Sequence, residues 1–377
     1  MLLSIIIPTF NERGNVQLIV ERVEAAMKDS TSDYEIWFVD DSRDDTPIIL
    51  EGLANSHPQV HYLHRENGRG LATAVVEGFS RAAGQYFIVM DADLQHPPEL
   101  LPTILERLQE GTDVVIPSRF VRGGSDGGLN PFRKIVSWTA RVIGRLAISR
   151  IRRISDCTGG YFGLSREVVA DAKLNPIGWK ILLEILVKGQ YQTVHEIPYE
   201  FHTRDVGESK MNTREQWNYI RHIVRLVAES PEDRRLYLFA MVGALGVVVN
   251  LVAMSVLLYG LHVRPTMVAS ILASLVAMLH NFLWNDKVTW KAHAHPVKWR
   301  RMMQMPMFML VSLVGIGITA LFAQWFTLMG SKELIGQCLG IIVATGWSFV
   351  ANNRITWRTP ESHGAKRTRR KVRVTQE

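Results

Sequence analysis

The residues best equipped for chemistry lie in one short run, Met90-Asp91-Ala92-Asp93-Leu94-Gln95-His96-Pro97-Pro98-Glu99. Asp91 and Asp93, set just past a run of buried-strand character, project oxygen ligands into the crevice at that strand's end. Mg²⁺ or Mn²⁺ is held this way, by one or two carboxylates together with substrate phosphates. Such an ion would offset the charge developing on a departing diphosphate. An Asp-x-Asp on its own is more often a solvated turn. Its place at a strand end, with Gln95 and Pro-Pro-Glu behind it, favours a ligand site.

A second run reads Asp40-Asp41-Ser42-x-Asp44-x-Thr46. A strand-end carboxylate can accept hydrogen bonds from a nucleobase or ribose, which is the role expected of Asp40. Asp44 or Asp45 reads as an Asx-turn and helix cap. No G-x-G-x-x-G follows the first strand and there is no P-loop, so dinucleotide and ATPase readings weaken. The third cluster is basic: Arg119 after the fifth strand, Arg133 and Lys134 opening a helix, and Arg204 and Lys210 in Phe201-x-x-Arg204-x-x-Gly207-x-Ser209-Lys210. Guanidinium forks and a flexible ammonium suit phosphate oxygens.

The elements that must position these side chains are legible in the first 120 residues. Residues 3–7, 34–39, 60–63, 86–90 and 114–116 read as strands. Between them, 13–29, 46–55, 70–83 and 98–110 have helical spacing of apolar residues, and Thr46-Pro47 is a helix start with Pro at the first position. Alternating β and α segments predict an α/β domain, a mostly parallel sheet covered by helices on both faces. Ligands bind such sheets at the carboxyl ends of the strands. There the polar residues collect: Asn11 and Glu12 after strand one, Asp40 and Asp41 at strand two, Asp91 and Asp93 at strand four.

At 377 residues the chain should form about two to three units, and its 47% apolar content excludes a disordered or collagen-like chain. The net charge is +7, of which residues 358–377 contribute +5 through seven basic and two acidic side chains. The remainder is near balance, so the basic excess is not a nucleic-acid footprint and no such partner is expected. Cys157 and Cys338 are the only cysteines, which leaves neither a disulfide framework nor a thiolate zinc site.

Apolar residues are segregated toward the second half. Segments 236–263, 265–285, 302–331 and 334–353 carry no Asp, Glu, Lys or Arg, and each reaches the roughly 20 residues a bilayer crossing needs. Four spans are expected. Lys287, Lys291, Lys298, Arg300 and Arg301 fall between the second and third, with Asp286 the only acid. Positive charge stays on the cytoplasmic side, so both termini, the large N-terminal region and the basic tail are expected there, in a multi-pass protein of the cell membrane. Residues 1–10 lack a basic n-region and read as a buried strand, not a signal peptide. The membrane half repeats itself: FLWNDKVTWK at 282–291 and FVANNRITWR at 349–358, as two tandem helical hairpins would. A homo-oligomer formed through this half is compatible with the reading. Before it, 132–154 sets Ile135, Trp138, Val142, Leu146 and Ile148 on one stripe flanked by arginines, as in a basic amphipathic helix at a lipid interface; 217–227 reads likewise.

Taken together, Pro8-Thr9-Phe10-Asn11-Glu12, Val39-Asp40-Asp41-Ser42, Asp91 to Glu99, Ser118-Arg119-Phe120 and Arg204-x-x-Gly207-x-Ser209-Lys210 resemble the polyprenyl-phosphate glycosyltransferases of glycosyltransferase family 2, the dolichyl-phosphate mannose synthase group. The membrane half is similar to the GtrA-like four-span family. The resemblance implies a GT-A (Rossmann-like) catalytic domain over 1–230, a four-helix transmembrane domain over 231–358 and a basic tail over 359–377. It implies metal-dependent, inverting transfer of a sugar from a nucleotide-sugar donor to a polyprenyl phosphate (dolichyl or undecaprenyl) acceptor. By resemblance, Pro8, Asn11, Glu12, Asp40 and Asp91 hold the nucleotide, and Arg204 and Lys210 close over its diphosphate. Asp91, Asp93 and Gln95 hold Mg²⁺ or Mn²⁺, and Arg119, Arg133 and Ser137 grip the acceptor phosphate. The chain departs from the family's Asp-x-x-Ser-Gly-Phe pattern, with Gly159 for Ser and Tyr161 for Phe, a change that bears on the sugar. GDP-mannose is the expected donor, with UDP-glucose next. A lipid flippase with a non-catalytic nucleotide-binding head is the alternative of a different class, and intact Asp91 and Asp93 speak against it.

Overall fold

The computed structural model describes residues 1–30, 33–68, 70–127, 131–201, 213–264, 266–291, 299, 303–329, 333–357 and 372–376. The chain forms two compact units, Met1–Ser230 with Arg369–Glu377, and Pro231–Thr368.

In the first unit the chain runs β1 (Leu3–Thr9), α1 (Val16–Met27), β2 (Tyr34–Asp40), α2 (Thr46–Ser56), β3 (Val60–His64), α3 (Leu71–Arg81), β4 (Tyr86–Val89), α4 (Leu101–Gln109), β5 (Val114–Ser118), α5 (Pro131–Ala147), β6 (Phe162–Ser165), α6 (Arg166–Ala170), α7 (Ile181–Lys188), β7 (Thr193–Pro198) and α8 (Thr213–Glu229). The five strands and four helices expected in the first 120 residues are all present. Sheet order is β3-β2-β1-β4-β6-β5-β7, with β8 (Arg373–Gln376) added at the far edge. Every pair is parallel except those of β6, which runs antiparallel to β4 and β5. The LSIIIPT run of β1 is buried along its whole length, as a strand covered on both faces must be. Ile6 joins the core of one face, with Phe79, Phe87 and Leu182, while Ile5 and Ile7 join the other, with Ile19, Phe38 and Leu105.

Helix α5 ends at Ala147, and the amphipathic stretch splits between two surroundings. Ala140, Ile143 and Ala147 pack on the core and Ile148 is fully buried, whereas Trp138 and Leu146 are exposed. The flanking arginines satisfy carbonyls of the domain itself: Arg141 donates to Ser155 O, Arg145 to Arg152 O, and Arg150 to Val187 O and Gly189 O.

The second unit contains α9 (Pro231–Ser255), α10 (Thr266–Trp284), α11 (Gln304–Leu328) and α12 (Glu333–Ala351). Among the described residues three helices are long and apolar enough to cross a membrane, Asp233–Gly260, Val268–Thr289 and Gln304–Phe326. The fourth expected span corresponds to α12, several of whose side chains lie outside the described residues, so four spans become three on this measure. Leu251, Ile271, Leu310 and Ile342 are all exposed, an outward apolar face that suits hydrocarbon rather than water. Both copies of the repeated sequence end in a π-helical turn, Asn285–Thr289 and Asn352–Thr356. Around them an aromatic core gathers Phe239, Phe282, Phe308, Trp290 and Trp357. The chain's last described residues, read from composition as part of a basic tail, form β8 on the catalytic sheet.

Candidate active site

A cleft of about 1090 Å³ opens in the first unit at the carboxyl ends of β1 and β4. Pro8, Glu12, Asp91, Asp93, Gln95, Arg119 and Ser137 all line it. The parallel register explains the convergence, because Thr9 pairs with Asp40 at the ends of β1 and β2, and β4, whose Val89 pairs with Ile6, runs on through Met90 and Asp91 toward the same edge.

The loop after β4 is built to aim its carboxylates. Leu94 is buried at a left-handed φ of 60°, an uncommon conformation for a residue with a branched side chain. Burial of that side chain holds the turn, and its neighbours Asp93 and Gln95 line the cleft. The Asp93 carboxylate accepts from the Gln95 amide at 3.2 Å. His96, which sequence reasoning gave no role, is 2% exposed, and its Nδ1 accepts from the Asp91 amide at 2.9 Å. That bond assigns the ring proton to Nε2, so His96 acts as a neutral anchor, and its 3.7 Å approach to Asp91 Oδ2 is not an ion pair. The ring stacks on Tyr161, whose hydroxyl donates to Pro97 O at 2.9 Å. Tyr161, noted in the sequence only as a departure, therefore clamps the same loop. A histidine beside two acids was the visible signal.

Asp40 occupies a different position from the one expected. It is fully buried, its carboxylate accepting from the Ser42 amide at 3.2 Å and from the Ser42 hydroxyl, and it lies 2.7 Å from His64 Nδ1. The adjacent Asp41 lines the cleft, where Arg65 holds it through two bonds of 2.7 Å. Alternation along an extended strand end accounts for the difference: one carboxylate turns into the sheet, the next toward the crevice. Gly68 closes on it, since a Cβ there would stand 2.1 Å from Asp41 Cγ. Asn11 is exposed, sits at φ 53° and accepts from the Arg43 amide at 2.9 Å. It braces the β1 and β2 loops together and is not among the lining residues.

Arg119 is a buried cation, not a surface charge. Its Nε and Nη2 donate to Asp156 Oδ2 at 2.9 Å and Oδ1 at 3.2 Å, and Asp156 is itself fully buried. Burial alone would lower the guanidinium's pKa, but Asp156 outweighs it and leaves the pKa above its usual value. Phe120 and Phe201 stand 5.1 and 5.3 Å from its charge centre. Two of five N–H groups engage Asp156, so others remain for a phosphate. Lys180, which sequence reasoning missed, also lines the cleft and donates to Thr158 O at 2.9 Å. Its sequence context, a lone lysine before an apolar helix, carries no motif.

Of the remaining expected residues, Arg133 lies in the first turn of α5 with its side chain outside the described residues, and Arg204 and Lys210 lie outside them altogether. Among the described residues no group of three or more His, Cys, Asp or Glu side chains gathers as a metal cage. The donor set fits a hard divalent ion completed by substrate phosphates: Asp91 and Asp93 offer carboxylate oxygens and Gln95 an amide oxygen. The Asp91 carboxylate faces a glycine, Gly160, where a Cβ would intrude to 2.9 Å from Oδ2.

Residues 4–172 match the glycosyl transferase family 2 model, and 238–367 match the GtrA/DPMS transmembrane domain. A dolichol-phosphate mannosyltransferase of Pyrococcus furiosus is 39% identical over 361 residues, covering 95% of this chain and 100% of that one. Those of Mycosarcoma maydis and Saccharomyces cerevisiae are 37% and 33% identical, covering 59% and 63% of this chain and 78% and 91% of theirs. With end-to-end likeness added to a cleft built at the strand ends, the chain belongs to the dolichol-phosphate mannosyltransferase family, a family 2 glycosyl transferase joined to a GtrA/DPMS multi-pass membrane domain.

Proposed function

We propose that this protein transfers a sugar from a nucleotide-sugar, mannose from GDP-mannose, to the phosphate of a polyprenyl phosphate, inverting the anomeric carbon. The observation that carries the reading is the composition of the cleft at the strand ends. Asp91, Asp93 and Gln95 meet Arg119 and Ser137 there, and Val136 and Ile143 of α5 with Ile220 of α8 give it an apolar wall. Few substrates call for acids, a buried guanidinium and a greasy wall at once; a nucleotide-sugar with a lipid phosphate does. The family's mannosyltransferases support mannose as the sugar.

A phosphate monoester is already anionic near neutral pH, its second pKa being about 6, so the acceptor needs positioning rather than a base. Arg119, held by Asp156, and Ser137 would orient its oxygens, with Arg133 alongside. Pro8, Glu12 and Asp41 would hold the nucleotide, with the buried Asp40 fixing the strand end behind Asp41, and Arg204 and Lys210 would close over the diphosphate. Asp91, Asp93 and Gln95 would hold Mg²⁺ or Mn²⁺, which when bound neutralises charge on the leaving diphosphate. An acceptor oxygen then bonds to the anomeric carbon as the bond from that carbon to the diphosphate breaks, and the nucleoside diphosphate departs. Alignment and charge stabilisation supply the rate. The spans number four in this reading, with the catalytic unit and both termini on the cytoplasmic face, as the basic loops favour.

The test incubates the purified protein in detergent with labelled GDP- and UDP-sugars, polyprenyl phosphate and Mn²⁺, then extracts lipid. Label from GDP-mannose should enter the lipid phase and disappear with chelator or with Asp91→Ala. Label from a UDP-sugar alone would overturn the donor. Absence of any new bond would overturn the transferase reading in favour of a lipid-moving role.

A further inference from the structure

The chain's final strand reaches the catalytic machinery through a buried carboxylate. In the parallel pairing of β7 and β8, Gln376 lies beside Glu196, and its Nε2 donates to Glu196 Oε2 at 2.7 Å. Glu196 is fully buried. Its Oε1 accepts from the Ser155 amide at 2.9 Å, the Ser155 hydroxyl at 2.6 Å and the Asp156 amide at 3.0 Å, and the Ser155 amide is shared with Oε2 at 3.0 Å. Ser118, immediately before Arg119, donates its hydroxyl to Ser155 Oγ at 2.7 Å. Asp156 then takes Arg119 in its two-point grip.

An ionised carboxylate removed from water needs each oxygen satisfied. Glu196 meets that need by gathering the Ser155-Asp156 turn, and Gln376 is the partner that arrives from the far end of the sequence. We propose that Glu196 and Gln376 are positioning residues for the transfer reaction: they fix the turn that carries Asp156, and so set Arg119 for the acceptor phosphate. This rests on the reading that Arg119 grips that phosphate. Its consequence is that the catalytic domain is completed by residues translated after the membrane helices.

The experiment is steady-state kinetics on the full-length protein in detergent, varying polyprenyl phosphate and GDP-mannose separately, with thermal midpoints alongside. Gln376→Leu should raise the KM for polyprenyl phosphate about tenfold, the fold-change one charge-assisted hydrogen bond is worth. The donor KM should stay as in the parent, while the thermal midpoint falls modestly, as loss of one donor to a buried carboxylate requires. Gln376→Arg, which keeps an N–H donor beside Glu196, should restore the acceptor KM. Arg119→Lys serves as the reference. If it raises the acceptor KM while Gln376→Leu does not, the relay is overturned and the acceptor reading stands. If Arg119→Lys moves no acceptor parameter, both fall. A lower thermal midpoint with donor and acceptor KM raised equally, and no rescue by Arg, would make the strand merely structural and also overturn the proposal.

Discussion

Trp290 and Trp357 lie face to face in the membrane unit, their planes parallel at 0° and their centroids 4.4 Å apart. Each donates its indole N–H across to the other repeat, Trp290 to Asn353 Oδ1 at 3.2 Å and Trp357 to Asp286 Oδ1 at 3.3 Å. Asp286 and Asn353 hold the same place in the duplicated sequence. The inner bonds repeat too, Thr289 to Asn285 and Thr356 to Asn352, both at 2.7 Å. Two sequence copies thus meet about a local two-fold, and the repeat is the contact.

Because the stack joins the two hairpins, Trp357→Ala should destabilise the membrane unit by about 3–5 kcal/mol. Trp357→Phe, which keeps a ring but loses the N–H, should cost about 1 kcal/mol. Thermal unfolding in detergent measures both. Trp290→Ala and Trp357→Ala combined should cost much less than their sum; strict additivity would mean the rings act separately.

Gly160→Ala tests how closely the Asp91 carboxylate is set. The added methyl would stand 2.9 Å from Oδ2 and 3.2 Å from Oδ1, inside normal contact, so the carboxylate must turn. Small misplacements of reacting groups cost up to about a hundredfold. Sugar transfer should fall by about ten- to a hundredfold with the thermal midpoint unchanged. Parent-level activity would show that Asp91 needs no such exact placement.

Much of this was legible in the sequence, for identifiable reasons. The strands β1 to β5 are continuous apolar runs bounded by turn residues, and the acids fall at their ends. The later strands were invisible because their residues look like something else. β6 is four residues with a glycine, β7 carries His195 and Glu196, and β8 sits in a basic tail. The same gap hid Glu196 and Gln376. Asp40 and Asp41 were indistinguishable as text; only the strand's alternation decides which one faces the cleft. Lys180 carries no motif, and His96 sits inside one without announcing its role, which comes from packing.

Lys180 gives the site a pH dependence. Burial, then the charge of Arg119, push its pKa below the usual 10.5. A lysine with a depressed pKa is cationic below that value and loses its charge as pH rises through it. Two neighbours are moved the other way: burial, then Asp156, push the Cys157 thiol up to about 12, and Asp156 holds Arg119 above its usual value. If the Lys180 charge serves substrate binding, kcat/KM should fall on the alkaline side before an ordinary lysine would titrate. Lys180→Arg should move that limb upward. A profile identical in parent and variant would remove Lys180 from the reaction.

Glu184 controls stability in acid. Fully buried, it accepts from Lys188 Nζ at 2.7 Å and the Asn175 amide at 2.7 Å, and its other oxygen lies 2.9 Å from the buried His222 Nε2 of α8. Burial raises its pKa, but the hydrogen bonds from His222 and Lys188 outweigh that and leave it below the usual 4.5. A depressed carboxylate contributes stability fully above its unfolded pKa and loses it as pH falls through the folded one. The thermal midpoint should therefore drop as pH goes below about 4.5. Glu184→Gln should cost about 3 kcal/mol at neutral pH, the penalty for breaking a buried charge network, and should flatten the acid fall. Because His222 fastens α8, whose Tyr219 and Ile220 line the cleft, the same variant should weaken acceptor binding at neutral pH, measured as a higher KM for polyprenyl phosphate.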